Sequence, residues 1–427
     1  MNRFRDAIRR HKAGEPVGVT SVCSAHPLVL AAAVRQALDD DSFVLVEATS
    51  NQVDQYGGYT GMTPRDFRDF VERLAAHEGL PDGRLVLGGD HLGPNRWQHE
   101  AAETAMDRAE VLVAAYALAG YTKIHLDCSM PLGGDALPLP AEVVAARSAR
   151  LLAAAEAAAP DPEAVSYVIG SEVPVPGGAH EELGALTPTR PEAAEATLRA
   201  HRTAFAAVGL ESVWPRITAL VVQPGVEFDH IRVIDYERAG TAALRHVLDD
   251  EPGMVFEAHS TDYQLPERLA ALVEDHWAVL KVGPGLTFAL REGLFALAHI
   301  EEHLVPAENR SELLGVIEER MLAAPGFWAG YYEGDEDEKR LARRFSYSDR
   351  VRYYWPDPEI RSAEARLFEN LERVTIPLPL LSQYLPNQYL RVRRGEIPAT
   401  PRDLVIDAVQ DVLRVYSAAC RSRAASR

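Results

Sequence analysis

The sequence predicts an α/β fold, a (β/α)8 TIM barrel followed by a helical C-terminal extension. Eight short apolar runs recur along the chain, and eight strands close a parallel barrel. Segments with helical periodicity lie between most of these runs, so strand and helix alternate. Each run ends in polar residues, and barrels of this kind place their chemistry at the carboxyl ends of their strands.

The predicted strands are short runs rich in apolar and β-branched residues. In chain order they are Gly18–Cys23, Phe43–Ala48, Arg84–Gly88, Lys123–Leu126, Val165–Ile169, Leu220–Val222, Met254–Glu257 and Val279–Val282. The third strand shows the repeated unit most clearly, because Asp90 and His91 follow it and a helix is predicted over Trp97–Leu118. The long interval between the fifth and sixth strands predicts an insertion at about Val173–Pro191.

The pattern changes beyond about Ala307, where helical segments replace the alternation. We therefore expect two parts, a barrel over residues 1–306 and a helical extension over residues 307–427 that packs on it. The aromatic, basic stretch Phe345–Pro356 has two interpretations. It is either an anchor for the extension or a segment from which Arg350 or Arg352 reaches the mouth of the barrel.

Composition limits the classes of function. The chain has 427 residues, 47% of them hydrophobic and 25% charged, which is typical of a soluble globular protein. A formal net charge of -19 argues against binding to nucleic acid or to an anionic membrane surface. No run approaches the roughly 18 apolar residues of a membrane span. Three widely separated cysteines, Cys23, Cys128 and Cys420, form no disulfide or zinc-finger spacing and predict the reducing cytoplasm.

Imidazole, carboxylate and amide groups at the ends of different strands predict a divalent metal site. The candidate ligands are His91, Glu172, Gln223 and His259. Such ligands suit zinc, manganese or nickel. A single histidine in such a position is more often a structural residue, but His91 and His259 each lie near an acidic residue, which favours ligation. His230 lies farther past its strand, and His26 and His125 are interpreted as orienting partners.

Asp90 and Glu172 are the candidate catalytic residues. Asp90 is placed to act as a general base on a substrate hydroxyl. Its alternative role is to orient a neighbouring histidine. Other polar residues at the strand ends are expected to bind substrate, namely Asn51, Gln52, Asp127, Asp262, Lys281 and Arg350.

Two features near the eighth strand have open alternatives. Lys281 stands where a Schiff-base lysine could lie, but with metal ligands elsewhere a structural or substrate-binding role is favoured. The segment Gly283–Thr287 opens the last barrel helix, where backbone N–H groups often bind anions. A lone glycine pair is a weak sign of such a site. The sequence contains no Walker motif, which argues against a kinase.

Eight motifs carry a resemblance to a known family. They are Glu47–Gln52, Gly57–Met62, Gly88–Asn95, Lys123–Asp127, Ser171–Gly178, Val222–His230, Glu257–Asp262 and Arg350–Pro356. They resemble the Z subunit of class II D-tagatose-1,6-bisphosphate aldolase, and the likeness runs from about Gly18 to Ser417. The resemblance implies a TIM barrel with a helical C-terminal part, a place in galactitol or amino-sugar catabolism, and support of a separate catalytic subunit. Members of this family were formerly labelled tagatose-6-phosphate kinases.

The comparison with catalytic class II aldolases shows both matches and departures. Those enzymes carry an Asp-His pair on strand three and zinc-ligand histidines on strands six and seven. Asp90-His91 and His259 match two of those three places, whereas strand six offers Gln223. The segment Ser260–Asp262 stands where those aldolases have a glycine-rich phosphate loop. These departures imply that phosphate contributes little to binding and put bisphosphate cleavage in doubt, while the metal site remains.

Two functions therefore compete. The first is a metal-dependent enzyme that performs aldol and retro-aldol chemistry, as an aldolase or a 4-epimerase, on a ketose or ketose phosphate such as tagatose or fructose. The alternative is a non-catalytic subunit that stabilises a separate catalytic aldolase subunit. A ring of buried polar residues favours activity, because a scaffold has no need of groups that cost stability. Assembly into a homo-oligomer stays open.

Overall fold

The computed structural model describes residues 2–170 and 186–421. Eight parallel strands close a barrel in which neighbours in the chain pair with one another and the first strand pairs with the last. The strands are β1 (Val19–Val22), β2 (Val44–Thr49), β3 (Leu85–Leu92), β4 (Lys123–Leu126), β5 (Ser166–Gly170), β6 (Ile217–Val221), β7 (Val255–Ala258) and β8 (Val279–Val282). The predicted TIM barrel is thereby confirmed.

Helices connect the strands and build the C-terminal region. They are α1 (Arg3–Lys12), α2 (Pro27–Asp39), α3 (Pro64–His77), α4 (Ala102–Leu118), α5 (Ala141–Ala158), α6 (Pro191–Ala207), α7 (Pro266–Glu274), α8 (Pro284–Leu304), α9 (Leu313–Ala323), α10 (Glu336–Phe345), α11 (Pro358–Glu372), α12 (Leu378–Tyr384), α13 (Pro386–Arg394) and α14 (Pro401–Cys420). None of the helices within the described residues is long and apolar enough to cross a membrane.

Strand β3 is longer than the sequence predicts. The prediction ends at Gly88, because polar residues follow the apolar run there, yet the strand continues to Leu92. Pairing with β2 carries it on, since Gly88 lies opposite Glu47 and Asp90 lies opposite Thr49. The polar pair Asp90-His91, which was predicted to follow the strand, is therefore held by the sheet.

Helix α1 covers the end of the barrel where the strands begin. Phe4 and Ile8 of this helix are buried against Val19, Val255 and other residues near the start of the strands. Burial of a large aromatic side chain stabilises such a contact by about 2–3 kcal/mol. With α1 packed over this end, the pocket described below lies at the other.

The C-terminal region is packed into the helical shell of the barrel. Helix α14 lies against α2, α7 and α8, and the backbone N–H of Gly18 donates to the carbonyl of Cys420 at 2.8 Å. A two-stranded antiparallel hairpin, Glu227–Phe228 with Val233–Ile234, follows β6. The division into residues 1–306 and 307–427 stays a prediction. Most of the predicted insertion between β5 and β6 lies outside the described residues.

Candidate active site

Four charged residues of the barrel strands form a buried ionic network, namely Glu47, Lys123, Glu257 and Lys281. The Nζ atom of Lys123 lies 2.5 Å from one oxygen of Glu47 and 2.8 Å from one of Glu257. The Nζ atom of Lys281 lies 2.5 Å from the other oxygen of Glu47. Gly88 makes room for this arrangement, since a Cβ atom there would lie 2.8 Å from Cγ of Glu47. Pairing of opposite charges offsets the cost of burying them.

An irregularity in β3 brings Asp90 and His91 into the site. The register of β3 against β4 shifts between Gly89 and Leu92, and His91 has a positive φ of 48°. Such a bulge re-aims side chains at a strand end. Oδ2 of Asp90 lies 2.9 Å from Nζ of Lys281. Burial alone would raise the pKa of Asp90, but the nearby charges of His91 and Lys281 hold it well below its usual value.

Three imidazole rings meet at this end of the barrel. The centroids of His91, His125 and His259 lie between 4.8 and 5.3 Å apart. Nδ1 of His91 lies 2.7 Å from Oδ2 of Asp127, and Nδ1 of His125 lies 3.0 Å from Oδ1 of Asp90. A carboxylate on one ring nitrogen is the arrangement that orients histidine ligands in metal sites.

Four of these side chains could hold a cation. Asp90, His125, Glu257 and His259 each offer one ligand atom, and these atoms lie within 4.8 Å of one another. Nε2 of His125 is buried and has no hydrogen-bond partner among the described residues. Burial lowers the pKa of His259 to about 3, so its ring is neutral at physiological pH and keeps a lone pair for a metal. Two imidazoles and two carboxylates suit a divalent cation such as zinc or manganese.

The contacts of Lys281 argue against Schiff-base chemistry. Burial alone would lower the pKa of its ammonium group, but the surrounding carboxylates, chiefly that of Asp90, raise it well above its usual value. A protonated amine has no lone pair with which to attack a carbonyl. Lys281 instead balances the charge of Asp90 and Glu47.

The structure places most of the predicted site residues around one pocket at the carboxyl end of the barrel. Those that line it are Asn51, Gln52, Asp90, His91, His259, Asp262 and Lys281. Asp127 lies behind His91 and holds it through Nδ1. Seven of the predicted residues therefore line the same pocket, while the roles assigned to them stay predictions.

Two predicted residues contact other parts of the chain. The side-chain oxygen of Gln223 accepts hydrogen bonds from the N–H groups of Gly225 and Val226 at 2.8 and 3.0 Å, so it shapes its own turn. Arg350 donates to the carbonyl of Phe327, while Arg352 lines the pocket.

Glu172, predicted to serve both as a metal ligand and in catalysis, lies outside the described residues.

The start of α8 differs from the anion site that the sequence left open. Oδ1 of Asp262 accepts hydrogen bonds from the N–H groups of Gly283 and Gly285 at 2.9 and 2.8 Å. A carboxylate of the chain itself thus takes the position in which other barrels bind phosphate.

Sequence reasoning missed Glu47, Lys123 and Glu257 as parts of the site and gave His125 only an orienting role. A signal was present, because each of these charges interrupts an apolar strand of a barrel. A charge inside a packed barrel is costly unless it is paired. Three such residues on different strands, together with Lys281, therefore point to one shared network.

The sequence matches the family model described as D-tagatose-1,6-bisphosphate aldolase subunit GatZ/KbaZ-like over residues 4–421. The chain belongs to the GatZ/KbaZ-like family. This confirms the family that the motifs predicted.

One solved structure that is similar to this chain is that of a probable tagatose 6 phosphate kinase from Sinorhizobium meliloti 1021. The two sequences are 49% identical, the TM-score is 0.87, and the match covers 94% of this chain and 100% of that one. Fructose-bisphosphate aldolase from Campylobacter jejuni matches at 14% identity and a TM-score of 0.46, covering 88% of this chain and 95% of that one. The YdjI aldolase from Escherichia coli K12 matches at 9% and 0.42, with coverage of 82% and 95%. Likeness at these last two TM-scores does not bear on activity.

Proposed function

We propose that this chain is a metal-dependent enzyme that breaks and re-forms a carbon–carbon bond of a ketose, as an aldolase or a ketose 4-epimerase. The observation that carries the proposal is the convergence of Asp90, His125, Glu257 and His259 within 4.8 Å of one another at the carboxyl end of the barrel. Buried charges of this kind cost stability and are retained where they serve chemistry.

The residues that would hold the cation are His125, Glu257 and His259. Support comes from the buried Nε2 of His125, which lacks a partner among the described residues, and from the neutral ring of His259. His91 remains a candidate ligand, because its ring lies 4.8 Å from that of His259. A bound divalent cation such as zinc, manganese or nickel would polarise the ketone carbonyl.

Asp90 is proposed as the general base. Its depressed pKa keeps the carboxylate ionised at neutral pH, so it can accept the proton of the C4 hydroxyl. As that proton leaves, the C3–C4 bond breaks and its electron pair moves into the carbonyl group, giving an enediolate and an aldehyde. Release of the fragments would be aldol cleavage. Re-formation of the bond on the other face of the aldehyde, with return of the proton from Asp90, would be 4-epimerisation.

The alternative is that this chain stabilises a separate catalytic aldolase subunit. The family description, which names an aldolase subunit, favours this second candidate. The buried charge network described above favours the first.

One experiment separates the two candidates. The purified chain is analysed for metal, incubated with tagatose or fructose, and followed by NMR. Interconversion or cleavage of the sugar, dependent on bound metal, is the expected result. A chain that is inert on both sugars but raises the activity of a separate tagatose-bisphosphate aldolase would establish the subunit role instead.

A further inference from the structure

The N–H groups at the start of α8 are all satisfied by the chain itself. Gly283 and Gly285 donate to Oδ1 of Asp262 at 2.9 and 2.8 Å. Pro284 has no N–H, and the N–H of Leu286 donates to the carbonyl of Gly283 at 3.0 Å. A helix start leaves its first N–H groups without partners in the helix, and these are the groups that bind a phosphate. At α8 they are already bound.

The fit of Asp262 is close. A Cβ atom at position 285 would lie 3.1 Å from Oδ1 of Asp262, so any larger residue there would crowd the carboxylate against the backbone. Asp262 is 3% exposed and lines the same pocket as Asp90 and His259. The carboxylate thus takes the position and the negative charge of a phosphate group, within reach of the reaction site.

Contacts on the preceding residue hold Asp262 in place. The hydroxyl group of Thr261 donates to the carbonyl of Lys281 at 2.5 Å. Tyr416, on the C-terminal helix α14, donates its hydroxyl group to the carbonyl of Thr261 at 2.7 Å. Because β8 and α14 both bind this segment, the backbone that carries Asp262 is held beside α8.

We propose that Asp262 is a specificity-determining residue that excludes a phosphate ester from the end of the pocket at α8. The substrate end that lies there is an uncharged hydroxymethyl or hydroxyl end of the sugar. A carboxylate repels phosphate, whereas it accepts hydrogen bonds from hydroxyl groups. This inference rests on the proposed function for its substrate, a ketose, and adds that the ketose carries no phosphate at this end.

The test uses inorganic phosphate as the probe and binding as the readout. Titrations followed by calorimetry or 31P NMR compare the wild-type chain with Asp262→Ala and Asp262→Asn. The Ala variant frees two N–H groups and removes the repelling charge, so it should bind phosphate at least about tenfold more tightly than wild type. The Asn variant keeps an oxygen in the place of Oδ1, so its two N–H groups stay bound and its gain should be smaller. Circular dichroism and thermal unfolding check that each variant is folded.

Several results would overturn the inference. One is wild-type binding of phosphate as tight as that of the Ala variant, and another is a folded Ala variant without any gain. If the Ala variant does not fold, competition on wild type decides, and a preference of about 100-fold for a ketose phosphate over the free ketose would refute the proposal.

Failure of this inference is distinguishable from failure of the proposed function. Phosphate binding is measured without turnover. If the chain is inert on ketoses but the Asp262→Ala variant binds phosphate more tightly than wild type, only the proposed ketose chemistry is contradicted. An active chain in which wild type binds inorganic phosphate as tightly as a folded Asp262→Ala variant would contradict the role of Asp262 alone.

Discussion

The Nζ atom of Lys281 lies 2.9 Å from Oδ2 of Asp90, so the carboxylate proposed as general base is held ionised by a buried ammonium group. The same ammonium lies 2.5 Å from Glu47. One lysine on β8 therefore couples the reactive end of β3 to the charge network inside the barrel. Lys281 therefore contributes both to the stability of the barrel and to the ionised state of the proposed base.

Replacement of Lys281 by Met should destabilise the fold. The change leaves the carboxylates of Asp90 and Glu47 buried without this partner, and breaking a buried pair costs about 3–5 kcal/mol. Denaturant unfolding measures the loss. The matched control is Arg9→Met, which breaks an exposed pair with Asp6 and should cost less than about 1 kcal/mol. A loss at Lys281 no larger than that of the control would contradict the prediction.

Metal content should depend on the histidines at the pocket. His125→Ala or His259→Ala should empty the site and leave the fold largely intact, and His91→Ala tests whether the remaining candidate also binds the metal. His230→Ala is the control, because this ring contacts Ser348 of the C-terminal region and is not in the cluster. Elemental analysis of the purified variants gives the readout. Full metal occupancy in both the His125 and His259 variants would contradict the proposed site.

Asp90→Asn separates two roles. If Asp90 is the base, turnover of a ketose should fall by about 10² or more while metal content stays near normal. If Asp90 only orients a neighbouring histidine, metal affinity should fall by about 10–100-fold and added metal should restore the rate. Rate and metal content are measured on the same preparation. Full activity of the Asp90→Asn variant without added metal would contradict both roles.

A pH effect on stability is expected from Glu364 of α11. Burial raises the pKa of this carboxyl group to about 7, so the folded chain holds the proton more tightly than the unfolded chain does. Its contribution to stability is therefore largest at low pH and is lost as pH rises from about 4.5 to about 7.

Glu364→Gln measures that effect. The variant should match wild type near pH 4.5 and exceed it by about 3 kcal/mol at pH 8, since about 2.5 pKa units separate the folded from the unfolded state. Glu369→Gln is the control on the same helix, because Glu369 is 65% exposed. Unfolding curves at both values of pH give the comparison. A difference that does not change with pH would show that Glu364 is not the titrating group.

The barrel could be predicted because its strands and helices follow from short-range patterns of apolar and polar residues. Each strand run, such as Val279–Val282, is a short apolar segment bounded by turn or helix signals, and short-range propensity is enough to detect it. The end of β3 was not predicted because pairing with other strands extends it past its glycines, with β2 as far as Asp90 and with β4 at Leu92. The contact of Gln223 was not predicted for a related reason, since its side chain accepts a hydrogen bond from the turn that follows it.

The sequence by itself determined the fold class, the family and the set of polar residues at the strand ends, because these depend on residue type and spacing. The tertiary structure decided which polar groups meet. It joined Lys281 to Asp90 across two strands that are far apart in the chain and placed Asp262 on the N–H groups of α8. Such contacts depend on the direction of each side chain and on how the barrel closes, to within the length of a hydrogen bond. The periodicity of strands and helices does not specify positions this closely.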